Sequence, residues 1–391
     1  MWFKSIVSLL FSSFIVVGLQ AQNPRPATIK IDPTEAEVVE FTDLAKDITV
    51  LKLEDTRESI LGHVDNLLIT ESRIYVLTGM PNSFVVAFDR NGKYLFKVRA
   101  TGQGPEEVDR VTNIAVDGED LMVYGDLSRK VLRINKDGEF QRAYKLDLFA
   151  YDFVKTDTGW LFYLQSFSSG ENGDTRLALT DENFQDPIYM FKPKKTGLGF
   201  GFYYREFARG DQGVSFVMAQ NDTLFNFKDG GVSVSSVVDF GSYGLDESEK
   251  ERPYSRQMLE RLSKITYARL GKPFYQLPDY TSFIYVYGNR QSDPKKGTRQ
   301  VYVSPKGVIR WHYYQLALSE YNATLPYNAF TYQGQMVTAA NCLELFNYNR
   351  GELDKDSRKG LSEGYGIMSL EAAMQVMKTD DNPYLFFYKI R

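Results

Sequence analysis

One cysteine and two histidines are all that 391 residues supply of the side chains that most often carry redox and metal chemistry. With Cys342 alone there is no intramolecular disulfide, so stability has to come from burial and strand pairing, and the thiol reads as a small buried hydrophobe. His63 and His312 have no partner at metal-ligand spacing, which leaves nothing to build a zinc site. No calcium loop of the Asp-x-Asp-x-Asn/Asp-Gly kind occurs; Asn172-Gly173-Asp174 and Asp117-Gly118-Glu119-Asp120 read as turns. No metal and no cofactor is expected. Charge of one sign is also missing: the formal net charge is −4, with acids and bases interspersed, so nucleic acid is not an expected partner. Long apolar runs are confined to Ile6–Leu19, which follows Lys4 and precedes Gln20-Ala21-Gln22. That run is shorter than the ~20 residues of a comfortable span. It reads as a signal peptide over residues 1–21, cut near Ala21. The expectation is a protein exported to the periplasm or beyond, with no membrane span once the signal is removed.

What the chain has in quantity is aromatic residues, 14% of the total, with Tyr and Phe far outnumbering Trp; these favour pleated strands. It also has a repeat. Val64–Thr70, Arg73–Leu77 and Phe84–Val98 read as strand, strand, and a hairpin turning at Asn91-Gly92, a dipeptide suited to positive φ at both turn positions. The order recurs at Val111–Val116, Leu121–Tyr124 and Val131–Phe140, with Asp137-Gly138 turning 46 residues after Asn91-Gly92. Four further copies start near Tyr151, Tyr204, Thr281 and Asn328. Six four-stranded units predict an all-β fold, a six-bladed β-propeller, over residues 48–391, after an extension at 22–47. Ile48–Glu54 is left alone before the first unit and is expected to pair with Tyr384–Ile390, closing the ring. Two short helical insertions are predicted, at about 246–270 and at 369–378, the latter starting at Ser369.

Leu51–Gly62, the strand Arg73–Leu77, the hairpin Phe88–Lys93 and the loop Thr101-Gly102-Gln103-Gly104-Pro105-Glu106-Glu107 resemble an exported bacterial six-bladed β-propeller family, itself similar to NHL-repeat propellers. The likeness is in motifs over about residues 48–160 and in topology afterwards. Val108 stands where that family shows a tyrosine after the Glu. The resemblance implies the fold and a tendency to bind partners; it implies no activity.

The chemistry-bearing motifs are mostly absent. Gly102-Gln103-Gly104-Pro105 lacks the Lys-Ser/Thr of a phosphate cradle and reads as a turn. There is no Gly-x-Ser-x-Gly elbow and no sialidase-type Ser-x-Asp-x-Gly-x-x-Trp box. The residues at or just before each innermost strand should face the mouth of the channel: Arg110, Tyr151, Tyr204, Arg205, Tyr280 and Tyr327, joined by His63 and Asp65 from the first unit. Amphipathic rings there suit sugars or extended peptides. The expected function is a binding or scaffolding module for a glycan, peptide or partner protein. The alternative is a secreted polysaccharide hydrolase or lyase using acids with Tyr or Arg on the same face, for which the catalytic residues are unknown. Two carboxylates about 5–10 Å apart in a deep channel would favour that alternative.

Overall fold

The computed structural model describes residues 26–391 apart from 80–82, 99, 165–174, 193–204, 211–212, 219–220, 251–255, 263, 289–296, 328 and 347–357. The proposed signal peptide and Tyr204 therefore lie outside the described residues.

The chain is an all-β propeller with a few short helices, and its described strands fall into six sheets. The first sheet holds Val64–Ile69, Arg73–Thr78, Phe84–Asp89 and Tyr94–Val98; the second holds Asn113–Asp117, Asp120–Gly125, Lys130–Ile134 and Phe140–Lys145. In the third are Ala150–Thr156, Gly159–Leu164, Leu177–Thr180 and Ile188–Met190, and in the fourth Phe207–Gly210, Gly213–Val217, Thr223–Lys228 and Gly231–Asp239. The fifth runs through Ala268–Gln276, Thr281–Tyr287, Gly297–Val303 and Ile309–Leu318. Within each, neighbours are antiparallel hairpins, and apolar residues from facing sheets fill the layers between them, as where Tyr75, Leu77 and Val85 meet Val108, Ile114 and Val123.

The six units are not equivalent, which corrects the expected six-bladed ring. The axial cavity is walled by the leading strands of the first four sheets and by Phe330 and Thr331 of the sixth, with Tyr275 as the fifth sheet's contribution. The leading strand of the fourth sheet also lies directly beside that of the sixth. Five sheets thus present a strand along the axis, and the fifth is set back. Its leading strand is irregular: the pairing slips between Leu270 and Phe274, setting Gly271, Lys272 and Pro273 opposite the single residue Ile284. A bulge bends its strand and re-aims a side chain, and here it turns Lys272 toward the fourth sheet.

That leading strand occupies ground where a helix was expected. Among the described residues of 246–270, Glu247–Lys250 and Arg256–Leu262 are helical, and Ala268 already belongs to the strand. The second insertion is as predicted, a helix at Leu370–Val376 with the Ser369 hydroxyl accepting from Ala372 N at 3.2 Å.

Ring closure follows the expected pairing. Ala45–Lys52 runs antiparallel to Tyr384–Ile390 in the sixth sheet, beside Gln335–Ala340 and Ala329–Tyr332, with Gly366–Met368 outside it. Upstream, the extension is a strap. Ala27–Lys30 lies parallel on the outer edge of the fourth sheet and Glu37–Glu40 parallel on that of the fifth. Ile29 and Ile31 bury beneath it, and the Arg299 Nε donates to Pro33 O at 3.2 Å.

Candidate functional site at the axial mouth

At the leading ends of the inner strands a buried polar string crosses from sheet to sheet. Asn66 Nδ2 donates to Asn113 Oδ1 at 2.7 Å, and Asn113 Nδ2 donates to Asp152 Oδ1 at 2.5 Å. Asp152 Oδ2 then accepts the backbone N–H groups of Glu206 and Phe207 at 2.7 and 2.9 Å. Each amide or carboxyl oxygen also accepts from the N–H of its own following residue. All of these side chains are buried, so every polar atom of the string has to be satisfied internally.

The string continues as a buried ion pair between Glu206 and Lys272, with the ammonium 5.0 Å from the Tyr163 ring centroid. Although burial works against its charge, the Glu206 carboxylate holds the Lys272 ammonium above the usual lysine range. Burial also pushes the Asp152 carboxyl up to about 7, against the backbone N–H groups that favour its charged form. Nearer the axis, Arg205 donates to Ala329 O at 2.8 Å and to the Tyr275 hydroxyl, with its guanidinium 3.9 Å from the Phe330 ring centroid. One arginine thereby ties the fourth, fifth and sixth sheets.

The polar string shows that the leading ends of the first four inner strands adjoin one another, which brings His63, Asp65, Arg110, Tyr151 and Arg205 to a common end of the axis. Asp65 and Tyr151 occupy equivalent places, each at a pairing slip that leaves its residue outside the ladder. The His63 ring is mostly exposed and its Nδ1 lies 3.2 Å from Glu344 Oε1, a hydrogen bond that raises its pKa. Arg110 forks onto the buried Asp126 carboxylate at 3.0 and 2.6 Å. Tyr327 and Tyr280 depart from the expectation. Tyr327 stacks on Tyr313, with ring centroids 6.2 Å apart, and its hydroxyl donates to Tyr314 O. Tyr280 precedes a second strand instead of an innermost one and donates to Arg391 O.

Sequence reasoning passed over Asn66, Asn113, Asp152 and Glu206: three of them stand one position beyond the residue it selected, and Asn113 stands three beyond Arg110. The signal was present: a carboxamide or carboxylate stands at the same point of four successive repeats, just before an apolar strand. Gly102 and Gly104 are structural, as expected. A Cβ at Gly102 would lie 2.1 Å from Glu107 Oε2, and Glu107 instead accepts Gly104 N at 2.7 Å.

A family described as a domain of unknown function matches residues 27–389. Among solved structures, the chain is similar to BF0058 of Bacteroides fragilis, described as an exported protein, with a TM-score of 0.70 and 15% identity over 93% of this chain and 99% of that one. It is similar also to a member of the DUF4221 family from Bacteroides vulgatus, with a TM-score of 0.53 and 12% identity over 89% and 97%. These likenesses show the fold. No curated protein matches the chain. Among the described residues, no helix is long and apolar enough to cross a membrane.

Proposed function

This chain belongs to the family of the domain of unknown function DUF4934, and from that premise we propose that it is an exported propeller that binds without catalysing, recognising a glycan, peptide or partner protein at the axial mouth. The observation that carries this reading is the commitment of the two acids of the buried string, Asp152 and Glu206. Asp152 accepts four hydrogen bonds and Glu206 is engaged by Lys272, with both carboxylates almost fully buried. A carboxylate pair that hydrolyses glycosides must reach its substrate from both sides of the bond, and these two are closed off by their own partners. His63 and Tyr151, by contrast, are at least partly exposed around the same end.

The test is a glycan array and thermal-shift screen of the mature chain, with mass spectrometry on each ligand that binds. Intact ligand, bound about ten-fold more weakly by a His63→Ala, Tyr151→Ala double variant, is the expected result. New products would replace the binding reading with the hydrolase or lyase one, and unchanged affinity in the double variant would move the site elsewhere.

A further inference from the structure

We infer that the opposite end of the axis holds a second binding site, between the third and fourth sheets, for a small polyhydroxylated carboxylate of the hexuronate type. Two hollows meet there. The axial cavity encloses about 140 Å³, and a larger hollow of about 360 Å³ opens among Thr156, Asp157, Thr158, Gly213, Lys228 and Asp229. Lys155 and Arg209 line both, so one wall is shared and the two spaces adjoin.

Two glycines of its wall, Gly210 and Gly213, are fixed by close approach of a neighbouring backbone. Gly213 has φ +114°, and a Cβ there would lie 2.4 Å from Phe227 O; at Gly210 a Cβ would lie 2.9 Å from Gln276 O. The charge on the wall is mixed and balanced: Lys155 is compensated by Glu182, and Arg209 and Lys228 face Asp157 and Asp229. Lys155 is held in place, 3.9 Å from Asp117, ion-paired with Glu182 and 5.2 Å from the Trp160 ring centroid. Arg209 is held loosely, its side chain half exposed and 3.8 Å from Asp157, which is 93% exposed. An exposed pair at that distance contributes little, so a ligand carboxylate replaces Asp157 on the guanidinium at small cost and gains a forked, charge-assisted contact.

The same wall selects against a bare anion. Asp157 and Asp229 are acceptors only and require donors from the ligand. Inorganic phosphate or chloride supplies few or none, whereas a sugar acid supplies one carboxylate for the cations and several hydroxyls for the acids and for Thr158.

The experiment is calorimetry and thermal shift on the mature chain with galacturonate, glucuronate, a galacturonate trimer, glucose and inorganic phosphate, each at millimolar concentration. The expected result is binding of a uronate, with glucose and phosphate at least about ten-fold weaker, and about ten-fold loss in an Arg209→Gln, Lys228→Gln double variant. Binding by the monomers assigns the site to free sugar acids, and binding by the trimer alone assigns it to chain ends. Absence of any uronate binding, equal binding of phosphate, or unchanged affinity in the double variant overturns the inference. The His63→Ala, Tyr151→Ala variant is expected to leave uronate affinity intact, which separates this site from the mouth.

Discussion

At the scale of single residues, two buried titratable groups set opposite pH slopes. Asp152, with its pKa pushed up to about 7 by burial, binds a proton more readily folded than unfolded. Its contribution to stability is fully present below about pH 4 and is lost as pH rises through about 7. His312 is the reverse. Burial, reinforced by Arg299, lowers it to about 4, while its Nε2 sits 2.6 Å from the Tyr285 hydroxyl. Its contribution is present above about 6.5 and is lost as pH falls through about 4. Between pH 4 and 6.5 the two slopes oppose. Urea unfolding across that window should therefore show stability rising with pH in Asp152→Asn and falling with pH in His312→Gln, each relative to the native chain. Asp152→Asn should also cost about 1–3 kcal/mol, because an amide nitrogen replaces an acceptor of two backbone N–H groups. Parallel pH profiles in all three proteins would refute the assignment.

At the scale of elements, the clasp carries the clearest prediction. Lys52, on the strand Ala45–Lys52, is 1% exposed and donates to Ser362 O and Gly364 O at 2.8 and 2.6 Å, with Asp55 Oδ2 at 2.9 Å. Asp381 adds a carboxylate 3.9 Å away and accepts from Ser362 N and Tyr384 Oη. Lys52→Met would strand buried carboxylates, an expected loss of about 3–5 kcal/mol in chemical denaturation. On the partner strand, Phe386 is fully buried, and Phe386→Ala should cost about 3–5 kcal/mol. If either change left the unfolding midpoint in place, the clasp would not govern stability. This pairing was legible in the sequence because Ile48–Glu54 alternates like a strand and had no unit of its own. The strap was not: Ala27–Lys30 and Glu37–Glu40 are four residues each, too short for a period, and an edge strand is recognised only once the edge exists. The misread helix at 246–270 has a similar cause. Leu262, Ile265 and Leu270 fall at helical spacing, yet Leu262 packs with Leu245 while Leu270 packs with Phe274 and Phe283 in a different cluster.

At the scale of the whole molecule, the two ends of the axis are predicted to act as separate sites. Variants at His63 and Tyr151 and variants at Arg209 and Lys228 should add without coupling, measured as a double-mutant cycle on thermal stability and on ligand binding. A large coupling would mean that the axis transmits between them. The repeat of hairpin turns, the closing strand and the scarcity of His and Cys were decided by sequence alone, because turn chemistry and apolar alternation are local and a side chain that is absent is absent in every fold. Tertiary structure alone decided that Tyr280 bonds to Arg391 O, that Tyr327 stacks on Tyr313 and that Asn66, Asn113 and Asp152 join in one string. It also decided that the fifth sheet stands back from the axis. The physical reason is the same in each case: which end of a strand a residue occupies, and which neighbour satisfies its polar atoms, depends on contacts between sheets far apart in the chain, and in the fifth sheet a bulge over Gly271, Lys272 and Pro273 redirects the leading strand.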